Sequence, residues 1–94
     1  MTDKSENTKQ SYQYRVKRLI YRASYTGMKE TDLLLGQFAQ RHLAQLSEPE
    51  LDEFEALLDA GDPLILSWVR EDSTPPSDLD GPVLALIKDF HVNR

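Results

Sequence analysis

The stretch TGMKETDLLLGQF, from Thr26 to Phe38, sets a glycine and two acids between two runs with helical character. A carboxylate pair is the first place to look for acid–base chemistry. Glu30 and Asp32 are two residues apart, so on a helix they diverge by about 200° and cannot share a proton. Both instead fall in a first helical turn, where negative charge suits the positive end of the helix dipole. Gly27 just before them has the character of a helix stop. The chain has two histidines, His42 and His91, and no cysteine. A metal site would therefore have to gather carboxylates from distant segments. His42 lies close to an apolar stripe and has the character of a core or boundary residue, and His91 is expected near a helix end. No nucleophile stands beside a base, and no glycine loop is built to cradle phosphate. These residues favour a binding protein over an enzyme.

The preceding segment, YQYRVKRLIYRASY, carries a different signal. At about 100° per residue, Tyr12, Val16, Leu19, Ile20 and Ala23 share one helix face. Tyr14, Tyr21 and Tyr25 fall on the other side, beside Arg15, Arg18 and Arg22. Tyrosine and arginine are enriched at the energetic centres of protein interfaces, because they offer large contact area at low ordering cost. This face is expected to be exposed, contiguous and next to Gly27 and Glu30.

Five helices and no strands position these groups, at about 12–25, 29–45, 48–60, 63–71 and 81–91. The second places Leu34, Leu35, Phe38 and Leu46 near one stripe. The third opens on SEPE, in which Ser47 and Glu50 form a capping box, and continues with Leu51, Phe54, Leu57 and Leu58. Gly61 ends it. Asp62 is expected to cap the fourth helix, with Pro63 in its tolerated first turn. Leu64, Ile65, Leu66, Trp68 and Val69 make that helix short and apolar. EDSTPPSD is a turn-rich link, and the fifth helix uses Val83, Leu86, Ile87 and Phe90. The expected fold is all-α, a compact five-helix bundle in a single domain over 12–94, after a disordered polar tail at 1–11.

The 94 residues bound the chain to one domain. The net charge of −5 is unevenly spread. Residues 1–47 hold eight Lys/Arg against four Asp/Glu, and residues 48–94 hold three against twelve. The acidic total argues against nucleic-acid binding. No apolar run approaches the roughly 20 residues of a membrane span. The N-terminus, with Asp3 and Glu6, has neither a secretory core nor transit-peptide composition. A bacterial cytoplasmic address is expected.

From Arg18 to Val69 the chain resembles the small succinate dehydrogenase assembly factors, the flavinators of bacteria and mitochondria. The shared pattern is a basic-aromatic helix, then R-G-x-x-E-x-D, then a leucine-rich helix. An acidic helix with F-x-x-L-L follows, then D-P and a short helix with Trp. Gly27, Glu30, Asp32 and the upstream Arg22 match, and the similarity extends over about residues 12–90. The arginine before the glycine is Thr26 here, so its charge would have to come from Lys29 or Arg22. The resemblance implies a factor that binds the flavoprotein subunit of succinate dehydrogenase, or of a relative such as fumarate reductase. It implies that the factor promotes covalent attachment of FAD to a histidine of that subunit. The attachment would be autocatalytic in the flavoprotein, and the factor would hold no cofactor stably. The implied partner-binding residues are Arg18, Tyr21, Arg22, Tyr25, Gly27, Met28, Glu30 and Asp32. A monomer without membrane insertion is expected. The alternative is an antitoxin-like or other small regulatory module that binds a different protein.

Overall fold

The computed structural model describes the backbone of residues 4–92 and the side chains of residues 10–92. Five helices follow in order: α1 (Lys4–Ser24), α2 (Lys29–His42), α3 (Glu48–Ala60), α4 (Asp62–Val69) and α5 (Pro82–Asp89). Among the described residues there is no strand, as expected. α1 starts at Lys4, well before the expected Tyr12. No glycine or proline lies between Lys4 and Ser24, so nothing in the backbone stops the helix from extending. The expected tail is thus helical backbone from residue 4, and its first three residues lie outside the described ones. α2 stops at His42, earlier than expected, and a 3₁₀ turn (Leu43–Gln45) finishes it.

α1 and α2 make the closest pair, and α3 packs on α1, α4 and α5. Small residues set the α1–α2 distance. Ala23 and Ala39 are fully buried, and a Cβ at Gly36 would lie 2.9 Å from Ser24 Oγ and 3.3 Å from its Cα. The core centres on Phe38, whose ring stacks on Phe54 at 5.9 Å and meets Phe90 edge-on at 5.7 Å. His42 completes the cluster at 5.0 Å from Phe38 and 5.7 Å from Phe90. It is a half-buried packing residue, as its place near the stripe suggests.

The apolar faces read from the first three helices are the ones that are buried, save Tyr12 and Ile20, which are half-buried against the core. The last two differ. In α4 only Ile65 and Trp68 are buried, while Leu64 is exposed and Leu66 and Val69 are half-buried. Eight residues make barely two turns, so one narrow stripe can face the core. In α5 the buried set is Val83, Leu84 and Ile87, and Leu86 points outward. Phe90 is the C-cap residue of α5 and packs from beyond its end.

Two caps come from outside their own helix. The Tyr12 hydroxyl lies within hydrogen-bond reach of the carbonyls of Leu43, Ala44 and Leu46 around the 3₁₀ turn that finishes α2, where Leu43 also accepts the Leu46 N–H at 3.1 Å. Glu53 of α3 accepts the N–H of Val83 at 2.8 Å and so caps α5, which has no side-chain cap of its own. Ser47 and Glu50 form the expected capping box at α3. Asp62 does not cap α4, whose N-cap is Gly61 without a side-chain bond.

A Cβ at Gly81 would lie 2.6 Å from Glu53 Oε2, so glycine leaves room for the carboxylate that caps α5. Gly81→Ala is therefore expected to cost about 1–2 kcal/mol by displacing that carboxylate from Val83. Glu53→Ala is expected to cost a similar amount. The double variant should cost much less than the sum, because both changes remove the same bond. Denaturant titration of the four proteins measures this; additive losses would show that the two residues act independently.

Candidate partner-binding site

The loop between α1 and α2 spans Tyr25 to Met28 and reverses the chain. Gly27 takes φ +121°, a conformation that side chains disfavour. No atom lies within 4 Å of where its Cβ would be, so the backbone is open to an approaching molecule. Asp32 holds this loop from α2. Its Oδ1 accepts the N–H of Thr26 at 2.6 Å, the N–H of Gly27 at 3.3 Å and the Thr26 hydroxyl. These donors, the Thr26 hydroxyl foremost, lower the Asp32 pKa below the usual carboxylate range. Thr26 is thus part of the clamp.

A second loop lies alongside. α3 and α4 are joined by Gly61 alone, at φ +98°. Asp62 Oδ2 accepts the N–H of Met28 at 3.1 Å and pins the two turns together. Between them runs a groove of about 420 Å³. Arg22, Tyr25, Thr26, Gly27 and Met28 line one side, and Leu58, Gly61, Asp62 and Pro63 the other. Met28 is 37 % exposed despite its apolar side chain.

The outer face of α1 leads into this groove. Tyr14, Tyr21 and Tyr25 are 65 %, 69 % and 70 % exposed, as the helix phase requires. The Tyr21 and Tyr25 rings lie 4.8 Å apart, and the Arg18 guanidinium sits over the Tyr14 ring at 5.9 Å. The three arginines are not equivalent. Arg15 does not belong to the free face: it bonds Asp52 at 2.6 Å, Glu55 at 2.9 Å and Glu48 at 3.1 Å on α3. Those bonds, Asp52 first, raise its pKa above the ordinary value. Arg22 reaches Asp59 of α3 at 2.6 Å while still lining the groove. Arg18 has no carboxylate partner among the described residues.

Of the residues expected to bind a partner, Arg22, Tyr25, Gly27 and Met28 meet at the groove, with Tyr21 and Arg18 continuing along α1. Asp32 acts on the loop itself. Glu30 is paired with Arg70, the C-cap residue of α4, at 2.6 Å. The sequence did not mark Leu58, Gly61, Asp62, Pro63 or Arg70 as site residues. Leu58 has the spacing of a core position, and Gly61-Asp62-Pro63 has the composition of a helix boundary. Trp68 is buried core, and His91 is exposed beyond the end of α5. Among the described residues no three His, Cys, Asp or Glu side chains are grouped to hold a metal. No helix of the described residues is long and apolar enough to cross a membrane.

Comparison with known proteins gives a consistent set of relatives. The family model "Flavinator of succinate dehydrogenase" matches residues 17–91. The chain is 36 % identical over 72 residues to "Succinate dehydrogenase assembly factor 2, mitochondrial" of Dictyostelium discoideum, covering 77 % of this chain and 51 % of that protein. With the protein of that name from Debaryomyces hansenii it shares 36 % identity over 93 residues, 95 % of this chain and 66 % of the other. With that of Danio rerio it shares 32 % over 80 residues, covering 83 % and 51 %. The chain spans about half to two thirds of the length of these curated relatives. Their names place them in mitochondria, which gives no support to a bacterial cytoplasmic address. No solved structure matches the chain.

The loop clamp has a pH signature. A carboxylate whose folded-state pKa is depressed stabilises the folded form above its unfolded value, here 3.8. That contribution is lost as pH falls through the lower folded-state value. Amide exchange at Thr26 and Gly27 should thus stay slow through neutral and mildly acid pH. Relative to other loop amides, their protection should fall only below about pH 4. In Asp32→Ala the protection should be low at every pH. Protection unchanged in that variant, followed by NMR, would show that Asp32 does not hold the loop.

Proposed function

The chain belongs to the flavinator of succinate dehydrogenase family, and on that footing we propose that it is an assembly factor for the flavoprotein subunit of that enzyme. It binds the subunit and promotes covalent attachment of FAD there. The observation that carries this reading is the groove between two positive-φ glycine turns, pinned by the Asp62–Met28 bond. It opens beside the exposed Tyr25, with the exposed Tyr21 and Tyr14 further along α1. Such a surface offers aromatic and methionine contacts, a guanidinium and approachable backbone, which are the elements of a protein interface.

The flavin is the partner's cargo in this reading. The factor's residues bind and orient the flavoprotein, and the flavoprotein supplies the histidine and its chemistry. Met28 and Tyr25 would take apolar partner surface, Arg18 and Arg22 its carboxylates, and Gly27 its closely approaching backbone. Asp32 would serve by fixing the loop. Fumarate reductase flavoprotein is a second client of the same chemistry, and the factor would engage either as a monomer.

The position of Gly27 gives the test. Gly27→Ala and Gly27→Arg share the same backbone strain, about 1–2 kcal/mol at positive φ. Only arginine also places a long side chain where the partner must come. Both variants should therefore melt at similar temperatures. Gly27→Ala should retain most covalent flavin on the succinate dehydrogenase flavoprotein, and Gly27→Arg should lose it. In-gel flavin fluorescence in cells lacking the native gene, complemented with each variant, reads this directly. Normal flavinylation with Gly27→Arg would remove the groove from the docking surface. Normal flavinylation in the deleted strain with no complementing gene would overturn the function itself.

A further inference from the structure

Among the described residues two exposed ion pairs rest on a single contact, Arg22–Asp59 at the groove and Glu30–Arg70, which joins α2 to the end of α4. Arg15 is saturated by three carboxylates on α3. The Glu30–Arg70 contact instead uses one nitrogen, Nη2, and one oxygen, Oε2, at 2.6 Å. Both side chains are about half exposed, at 54 % and 52 %. A pair this exposed contributes little to folding. It leaves the second carboxylate oxygen and further guanidinium N–H groups facing solvent.

The backbone under both residues is nonetheless firmly set. Glu30 is the second residue of α2, directly after the clamped loop. Arg70 ends α4 within a closed C-terminal motif. The N–H of Asp72 bonds the carbonyl of Ser67 at 2.9 Å, and that of Glu71 bonds Trp68 at 3.1 Å. Glu71 takes φ +62° to close it, a conformation costly for a side chain other than glycine. α4 therefore touches the start of α2 at both ends, through Asp62 to Met28 and through Arg70 to Glu30. The pair lies about 12 Å along α4 from the Asp62 end of the groove, by the rise of eight helical residues.

We infer that Arg70 is a partner-contacting residue that sets specificity, and that Glu30 and Arg70 together present an ordered pair of charges to the flavoprotein. Glu30 takes a basic side chain of the partner, and Arg70 takes a carboxylate. Because the backbone under each is fixed, both charges are presented from defined places on the surface. This rests on the docking role proposed for the groove, whose rim residue Met28 lies two positions before Glu30.

A charge exchange tests it. Glu30→Arg and Arg70→Glu each place like charges together, and the double variant restores an ion pair with its polarity reversed. Binding of the purified succinate dehydrogenase flavoprotein subunit is measured by calorimetry, with a thermal melt of every variant. The double variant should recover the wild-type melting temperature and still bind about tenfold or more weakly. Arg70→Gln should weaken binding several-fold at unchanged stability. Wild-type affinity in the double variant would show that the pair serves the fold alone and would overturn the inference. Gly27→Arg, measured alongside, separates the two readings. If Gly27→Arg loses binding while the Arg70 variants keep it, only the role of Arg70 falls. If Gly27→Arg also binds normally, the groove reading falls and takes this inference with it.

Discussion

One carboxylate oxygen organises the site. The chain must reverse between α1 and α2 within four residues, and such a turn exposes backbone N–H groups that need partners. Asp32 supplies them from inside α2. Its own N–H bonds the Met28 carbonyl at 2.8 Å, which fixes where the side chain starts, and its Oδ1 then reaches back to Thr26 and Gly27. With the turn closed on itself, the Met28 N–H is left pointing outward, and Asp62 takes it. That one bond registers the α3–α4 turn against the α1–α2 turn. The groove, the open backbone at Gly27 and the placing of Met28 all follow from this sequence of bonds.

Charge explains which parts of α1 remain available. The basic first half of the sequence folds against the acidic third helix, and Arg15 and Arg22 are drawn onto its carboxylates. Exposed pairs of this kind contribute modestly to stability, and burial of Val16, Leu19 and Ala23 fixes how α1 is rotated about its axis. The consequence is that α1 turns its tyrosines outward. An exposed aromatic row is costly to leave in water, so a protein that keeps one gains from having it covered.

The fold was legible wherever a period ran for several turns. α1, α2 and α3 each repeat their apolar spacing often enough to define a face, and Ser47 with Glu50 marks a helix start by chemistry that admits few alternatives. α4 and α5 were not legible to that depth. With barely two turns each, Leu64 and Leu86 fit an apolar stripe as well as Ile65 and Leu84 do, and only the packing of neighbouring helices decides between them. At the site, the half built from consecutive residues, Tyr25 to Met28, stood out in the sequence. The half from Leu58 to Pro63 did not, because its members look like ordinary helix-end residues and acquire their role through a bond across thirty-four positions, from Met28 to Asp62. Arg70 is hidden for the same reason: nothing near it in sequence points to Glu30.

The capping of α5 by Glu53 also bears on how the chain is made. Ribosomal synthesis delivers α1 to α4 first, and domains begin to fold as their N-terminal parts emerge. α5 carries no side chain to complete its own first turn, and eight residues are too few to be helical alone. It becomes a helix on docking against α3. Until then the core around Phe38 and Phe54 lacks Val83, Leu84 and Ile87, which are translated after its other buried residues. Completion of the core therefore waits until α5 has emerged. In that interval the nascent bundle shows an apolar face where α5 will dock, a surface of the kind that chaperones cover.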